Sequence, residues 1–174
     1  MRKNSGFTLI ELIVVIVIVG ILAAITIPNF IAYLPNARLK SAARDLYSNL
    51  QMARVGAIKG HKQWAIVFNS GTPPSYQVIS DFGVAPATNR PVATVNLSSY
   101  GSGVTYGQGS AAATIDGFGT YAAGRVILFP RGNADADGHV FLTNSSNQSC
   151  YGVGTRTSGV VILRRWSGGG WTAN

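Results

Sequence analysis

One stretch near the amino terminus restricts everything else about the chain. From Phe7 to Ile27 it is apolar apart from Thr8, Glu11, Gly20 and Thr26, and between Leu12 and Ile25 only Gly20 interrupts it. As a helix rising about 1.5 Å per residue, this run reaches about 31 Å, enough to cross a hydrocarbon core of roughly 30 Å. The excess is local. Positions 7–34 hold 22 apolar residues in 28, whereas the following 140 residues hold 58, an ordinary share for a globular domain. A hydrophobic segment is therefore joined to a soluble body. A secretory signal peptide, cut near Ala23–Ala24, or a plain single-span anchor would explain the apolar run alone. Neither has a use for Glu11. An ionised carboxylate in such a segment costs about 2.5–3.5 kcal/mol even on a lenient insertion scale, so a compensating cation from another chain is expected.

The residues around that carboxylate form a known pattern. Lys3-Asn4-Ser5-Gly6 followed by Phe7-Thr8-Leu9-Ile10-Glu11-Leu12 resembles the prepilin cleavage signal of type IV pilins and type II secretion pseudopilins. The resemblance implies that a prepilin peptidase cuts after Gly6 on the cytoplasmic side and that the new amino terminus at Phe7 is methylated. It also implies that Glu11 pairs with the amino-terminal ammonium of a neighbouring subunit, so that two groups costly inside a membrane neutralise each other on assembly. The family further implies a bacterial inner-membrane, single-pass protein with a periplasmic C-terminal domain. An inner-membrane assembly platform would then pass it into an extracytoplasmic filament. Charge alone does not set this orientation, because Arg2 and Lys3 before the span are offset by Arg38, Lys40 and Arg44 after it.

Beyond the span the chain continues as a helical stem. Gly20, Pro28 and Pro35 each weaken a continuous helix, and the Gly20–Pro28 stretch resembles the part of pilins that loses helicity on entering a filament. Gly20 and Ala24 form a small-xxx-small pair that permits close helix approach. Leu39, Ala43, Leu46, Leu50, Ala53 and Ala57 recur at spacings of four and three, a single stripe expected to pack under a sheet. Lys40, Arg44 and Lys62 fall nearly opposite that stripe, with Arg38, Arg54 and Lys59 at its flanks. The helix is expected to stop near Lys59-Gly60.

The remainder reads as short strands at Gln63–Asn69, Tyr76–Ser80, Val92–Leu97, Arg125–Phe129, His139–Thr143 and Gly159–Trp166, with an irregular Gly, Ser and Ala-rich stretch over Gly101–Gly119. The expected fold is α+β, a long helix laid across an antiparallel sheet. The implied divisions are a leader at 1–6, a membrane or filament-core helix at 7–34, an amphipathic stem at 35–62 and a β-rich domain at 63–174. Ala53-Arg54, Ala57-Ile58-Lys59, Trp64-Ala65-Ile66-Val67-Phe68, Phe129-Pro130-Arg131-Gly132 and Gly138-His139-Val140-Phe141-Leu142 resemble GspH-type pseudopilins and FimT-type minor pilins. The resemblance implies a minor structural subunit of a type IV pilus-like or type II secretion filament, with DNA capture or surface adhesion as alternative roles.

Three groups of side chains raise other chemistry. Residues 141–174 contain Arg156, Arg164 and Arg165 and no acid, with Tyr151, Trp166 and Trp171 nearby. Arginine beside aromatics can hold phosphates and stack bases, a DNA-binding reading centred on Arg156, Arg164, Arg165 and Trp166. FimT-like chains carry a Gly-Arg-x-Arg element linked to DNA binding; here the tail has Leu163-Arg164-Arg165-Trp166 instead. Asn133-x-Asp135-x-Asp137-Gly138 mimics the start of a calcium loop, but the closing acid would fall at Asn144, and a hairpin turn explains the same residues. Cys150 is expected as a small buried apolar residue. No nucleophile–base pair, phosphate loop or metal-ligand cluster is apparent, so neither an enzyme nor a cofactor is expected. The net charge of +8 is also uneven, since residues 36–62 hold six cations and one acid and residues 63–174 six cations and four acids.

Overall fold

The computed structural model describes residues 8–83, 90–101, 103–146 and 149–173. The leader and the expected cleavage residues Gly6 and Phe7 lie outside the described residues. The chain divides into two compact units, Met1–Leu34 and Pro35–Asn174, and helix α1 spans Leu9–Gly60. From Leu9 to Tyr33 the large apolar side chains expose 42–77% of their surface. No described residue of that unit buries them, so the segment requires lipid or protein around it. Its polar side chains hide their donors: Thr26 Oγ1 donates to the Leu22 carbonyl at 2.8 Å, and Asn29 Nδ2 to the Ile25 carbonyl at 3.1 Å. Such internal bonds are what a polar group needs where no water is present. Gly20 and Pro28 both lie inside helix α1, and the space beside Gly20 is open.

In the second unit the expected stripe is realised. Leu39, Ala42, Ala43, Leu46, Leu50, Ala53 and Ala57 are all fully buried. They form one cluster with Ile66, Tyr76, Val78, Val126, Leu128, Val140, Leu142 and Val153. Four alanines on this face let the backbone of the stem approach the sheets closely. Gly56 does the same locally, since a Cβ there would meet the Trp64 indole at 2.6 Å. The helix ends as expected at Gly60, but the left-handed residue is His61 (φ 49°). The Lys62 N–H donates to the Ala57 carbonyl and the His61 N–H to that of Ile58, which closes the last turn.

The strands are β1 Trp64–Asn69, β2 Ser75–Ser80, β3 Arg90–Asn96, β4 Thr105–Tyr106, β5 Arg125–Leu128, β6 Gly138–Thr143, β7 Cys150–Thr155, β8 Val161–Trp166 and β9 Trp171–Ala173. They form two antiparallel sheets, in the orders β3-β2-β1-β5 and β4-β6-β7-β8-β9. The fold is thus a long helix packed on antiparallel sheets, two of them where one was expected. The cluster under the stem draws residues from both. The join between sheets is specific: Phe68 of β1 stacks on Tyr121 at 5.7 Å, and the Tyr106 hydroxyl donates to the Ser75 carbonyl at 2.7 Å.

The run from Asn133 to Gly138 is not the turn of a hairpin. β5 and β6 belong to different sheets, and this run carries the chain across. Asp135 pairs both ways with Ile127: its N–H donates to the Ile127 carbonyl, and its Oδ1 accepts the Ile127 N–H at 2.8 Å. Asp137 accepts the Thr157 N–H at 2.9 Å. The acids in this run thus serve backbone donors that would otherwise be unpaired.

Candidate functional site

Glu11 sits in the first turn of α1. Thr8 precedes the helix, and its Oγ1 accepts the Glu11 N–H at 3.3 Å. Thr8-Leu9-Ile10-Glu11 thus has the spacing of a capping box, and an acid there also suits the positive end of the helix dipole. Among the described residues no ion pair involves the Glu11 carboxylate. The local structure therefore accounts for the position of Glu11, while no described residue pairs with its carboxylate.

The arginines near the C-terminus do not act as one patch. Neighbouring residues of a strand point to opposite faces, and this separates Arg164 from Arg165. Arg164, opposite Gly152, shares the outer face of the second sheet with Arg156, and both converge on Asp116 Oδ2, at 3.9 and 3.0 Å. The Arg156 guanidinium also lies 4.2 Å from the centre of the Phe118 ring. Arg165 is exposed on the opposite face, and Trp166 packs edge-on against Trp171 with ring centres 5.4 Å apart. Asp116 and Phe118 were not singled out in the sequence. They arrive from an irregular loop 40 residues from Arg156, and no local pattern announces them.

Asp135 and Asp137 accept from different backbone donors, the N–H groups of Ile127 and Thr157. No group of three or more His, Cys, Asp or Glu suited to a metal occurs among the described residues. Cys150 is buried, and burial pushes its thiol up to about 12, which leaves it unreactive at neutral pH.

Under the Asp116–Phe118 loop lies His139, fully buried, with neither ring nitrogen in a well-formed hydrogen bond among the described residues. Burial lowers its pKa from 6.5 to about 4, the positive charges of Arg156 and Arg164 add to this, and the Phe118 carbonyl and Asp116 oppose it. Because the unfolded chain takes up this proton more readily, the His139 contribution is intact above about pH 6.5 and is lost as the pH falls towards 4. Thermal melts of the full chain in detergent at neutral pH and near pH 4.5 are expected to differ by on the order of 2–3 kcal/mol more than those of His139→Gln. Equal pH sensitivity in the two proteins would count against this assignment.

The comparisons with known proteins agree with this architecture. Residues 1–27 match the prokaryotic N-terminal methylation motif, and residues 42–171 match Type II transport protein GspH. The second match covers most of the chain, which belongs to the GspH family. That family is one of type II transport proteins. Among solved structures, the minor pseudopilin EpsH from the type 2 secretion system of Vibrio cholerae is similar with a TM-score of 0.54 at 11% identity, over 76% of this chain and 99% of that one. The type IV minor pilin FimU of Pseudomonas aeruginosa has a TM-score of 0.55 at 12% identity, over 80% and 96%. At these identities the likeness is one of fold. The type II secretion system core protein G of Aeromonas hydrophila is 33% identical over 102 residues, 59% of this chain and 62% of that protein. The chain spans between 20% and 62% of the length of such curated relatives. The methylation motif and the apolar helix after it are consistent with a pilin anchored in an inner membrane.

Proposed function

We propose that this chain is a minor structural subunit of a type IV pilus-like or type II secretion filament. It is first held in the inner membrane by residues 7–34, with the stem at 35–62 and the β-rich domain at 63–174 on the periplasmic side. A prepilin peptidase removes residues 1–6 and methylates Phe7, and an inner-membrane assembly platform moves the helix into a bundle with other pilin or pseudopilin subunits. One observation carries the reading: a methylation motif over residues 1–27 leads into a helix whose large apolar side chains have no cover of their own.

Within the bundle, Glu11 meets the amino-terminal ammonium of a neighbour, which supplies the partner its carboxylate lacks. Gly20, with open space around it, allows close helix approach, and Pro28 marks where the helix can loosen during extraction.

Intact mass measurement of the mature chain tests the processing. The expected product begins at Phe7 and carries the mass of one extra methyl group. A chain that keeps residues 1–6, or that is cut near Ala23–Ala24, would overturn the reading.

A further inference from the structure

The cover over His139 is a small hairpin of its own. The Ile115 N–H donates to the Phe118 carbonyl at 2.9 Å and the Phe118 N–H to that of Ile115 at 3.0 Å. Between them Asp116 and Gly117 are both left-handed (φ 52° and 84°), as a two-residue hairpin turn requires. Among the described residues, the main-chain ties to the second sheet fall on either side of this turn. One runs from the Gly107 N–H to the Phe141 carbonyl, the other from the His139 N–H to the Gly119 carbonyl. The hairpin itself is held by side chains. Ile115 is buried with Phe141 and Cys150 in the space that Gly152 leaves free, and Asp116 reaches Arg156 and Arg164.

The charged groups that face His139 come from three elements: Asp116 from the hairpin, Arg156 from the end of β7 and Arg164 from β8. β6 adds no other titratable group, and Tyr121, packed on Gly138, pairs its hydroxyl with Thr155 Oγ1. The Phe118 carbonyl, which faces the ring, already accepts the Ile115 N–H. A proton on the imidazole therefore puts a third positive charge beside a single carboxylate, in a place without water. Relief requires water at the ring. The hairpin is the part of the cover that can yield without breaking a strand ladder.

We propose that the Ile115–Phe118 hairpin is an acid-released latch: proton uptake by His139 lifts it from the second sheet and uncovers Phe141 and Cys150, while the stem and both sheets stay folded. Water restores the ordinary proton affinity of the ring, so acid favours the open form and neutral pH the closed one. Local opening of this kind costs less than global unfolding because only the contacts of one short segment are lost.

Cys150 is the only cysteine of the chain and serves as a built-in reporter. The full chain in detergent is labelled with a dithiodipyridine reagent, which attacks thiols in acid as well as at neutral pH. Each rate is divided into that of the urea-unfolded chain at the same pH, which removes the chemistry of the thiol itself. The resulting protection of Cys150 is expected to fall roughly tenfold or more between about pH 7 and pH 4.5. In His139→Gln it should change by less than about twofold over the same range. Asp116→Asn, which removes the carboxylate that Arg156 and Arg164 share, is expected to be labelled several-fold faster already at neutral pH. Hydrogen exchange at the two pH values, corrected for intrinsic rates, separates release from unfolding: peptides over 115–119 should lose protection while those over 39–57 keep it. Constant protection of Cys150, an equal fall in His139→Gln, or loss of protection in the stem together with the hairpin overturns the latch. If His139→Gln does not fold, exchange in the unaltered chain decides, and protection of 115–119 retained in acid overturns it.

Discussion

Glu11→Ala is expected to be cleaved normally and yet to be nearly absent from assembled filaments, by roughly one to two orders of magnitude relative to the unaltered chain. Two effects act in the same direction. In the bilayer the substitution relieves the cost of about 2.5–3.5 kcal/mol carried by an ionised carboxylate, so the membrane-held state becomes more favourable. In the filament it leaves a neighbour's ammonium unpaired, so the assembled state becomes less favourable. Glu11 also belongs to the Thr8-Leu9-Ile10-Glu11 capping arrangement, which by itself is worth about 1 kcal/mol. Glu11→Gln separates the two roles, because glutamine serves the cap without the charge. The expected result is that Glu11→Gln assembles as poorly as Glu11→Ala, measured by shearing filaments from cells and comparing subunit content with the membrane fraction. Assembly of Glu11→Gln at the unaltered level would assign Glu11 to helix capping alone.

The second large effect is predicted in the body, at Gly154→Ala. Gly154 lies in β7 opposite His139 of β6. A Cβ at this position would run into the Gly138 carbonyl oxygen and come within 2.7 Å of His139 Cα. Both obstacles are backbone in a buried strand, held by β7 on one side and by the bond from the His139 N–H to the Gly119 carbonyl on the other. Neither can step aside as a flexible side chain would. Overpacking against a fixed backbone is expected to cost about 3 kcal/mol or more, a fall of roughly 6–12 °C in melting temperature for a chain of this size. Gly169→Ala serves as the contrast, since a Cβ there meets nothing within 4 Å. Equal melting temperatures for the two variants would show that β7 does not depend on its glycines for packing.

The same glycines explain what the sequence concealed. The stem was legible because Leu39, Ala43, Leu46, Leu50, Ala53 and Ala57 keep one helical face, and all six are buried. The hairpin of β1 and β2 was legible because β-rich runs flank a Gly and Pro-rich turn. β7 was not, because Cys150-Tyr151-Gly152-Val153-Gly154-Thr155 carries glycine at alternate positions and reads as a loop. The glycines sit where the outer face has no room: a Cβ on Gly152 would collide with Ile115, and one on Gly154 with β6. The strand is thus defined by what packs on it from distant parts of the chain, which no local pattern encodes. β4 and β9, with two and three residues, were too short to show a period at all.

The Asn133–Gly138 run shows the converse. Its residues suit a turn or a metal loop equally well by type, and only the placement of Ile127 and Thr157 beside Asp135 and Asp137 distinguishes the crossover between sheets. Arg164 and Arg165 were read together as adjacent cations. Strand geometry assigns them to opposite faces, and Asp116 then draws Arg164 towards Arg156. Glu11 was the most informative single residue, because a charge in an apolar helix requires a partner wherever the helix goes.

The most direct measurement of that requirement is zero-length carbodiimide cross-linking of assembled filaments, followed by mass spectrometry of the peptides that contain Glu11. The account predicts an amide joining the Glu11 carboxylate of this chain to the amino-terminal residue of a different subunit. Filaments that contain the chain but join Glu11 only to its own Phe7, or to no amino terminus, would contradict it.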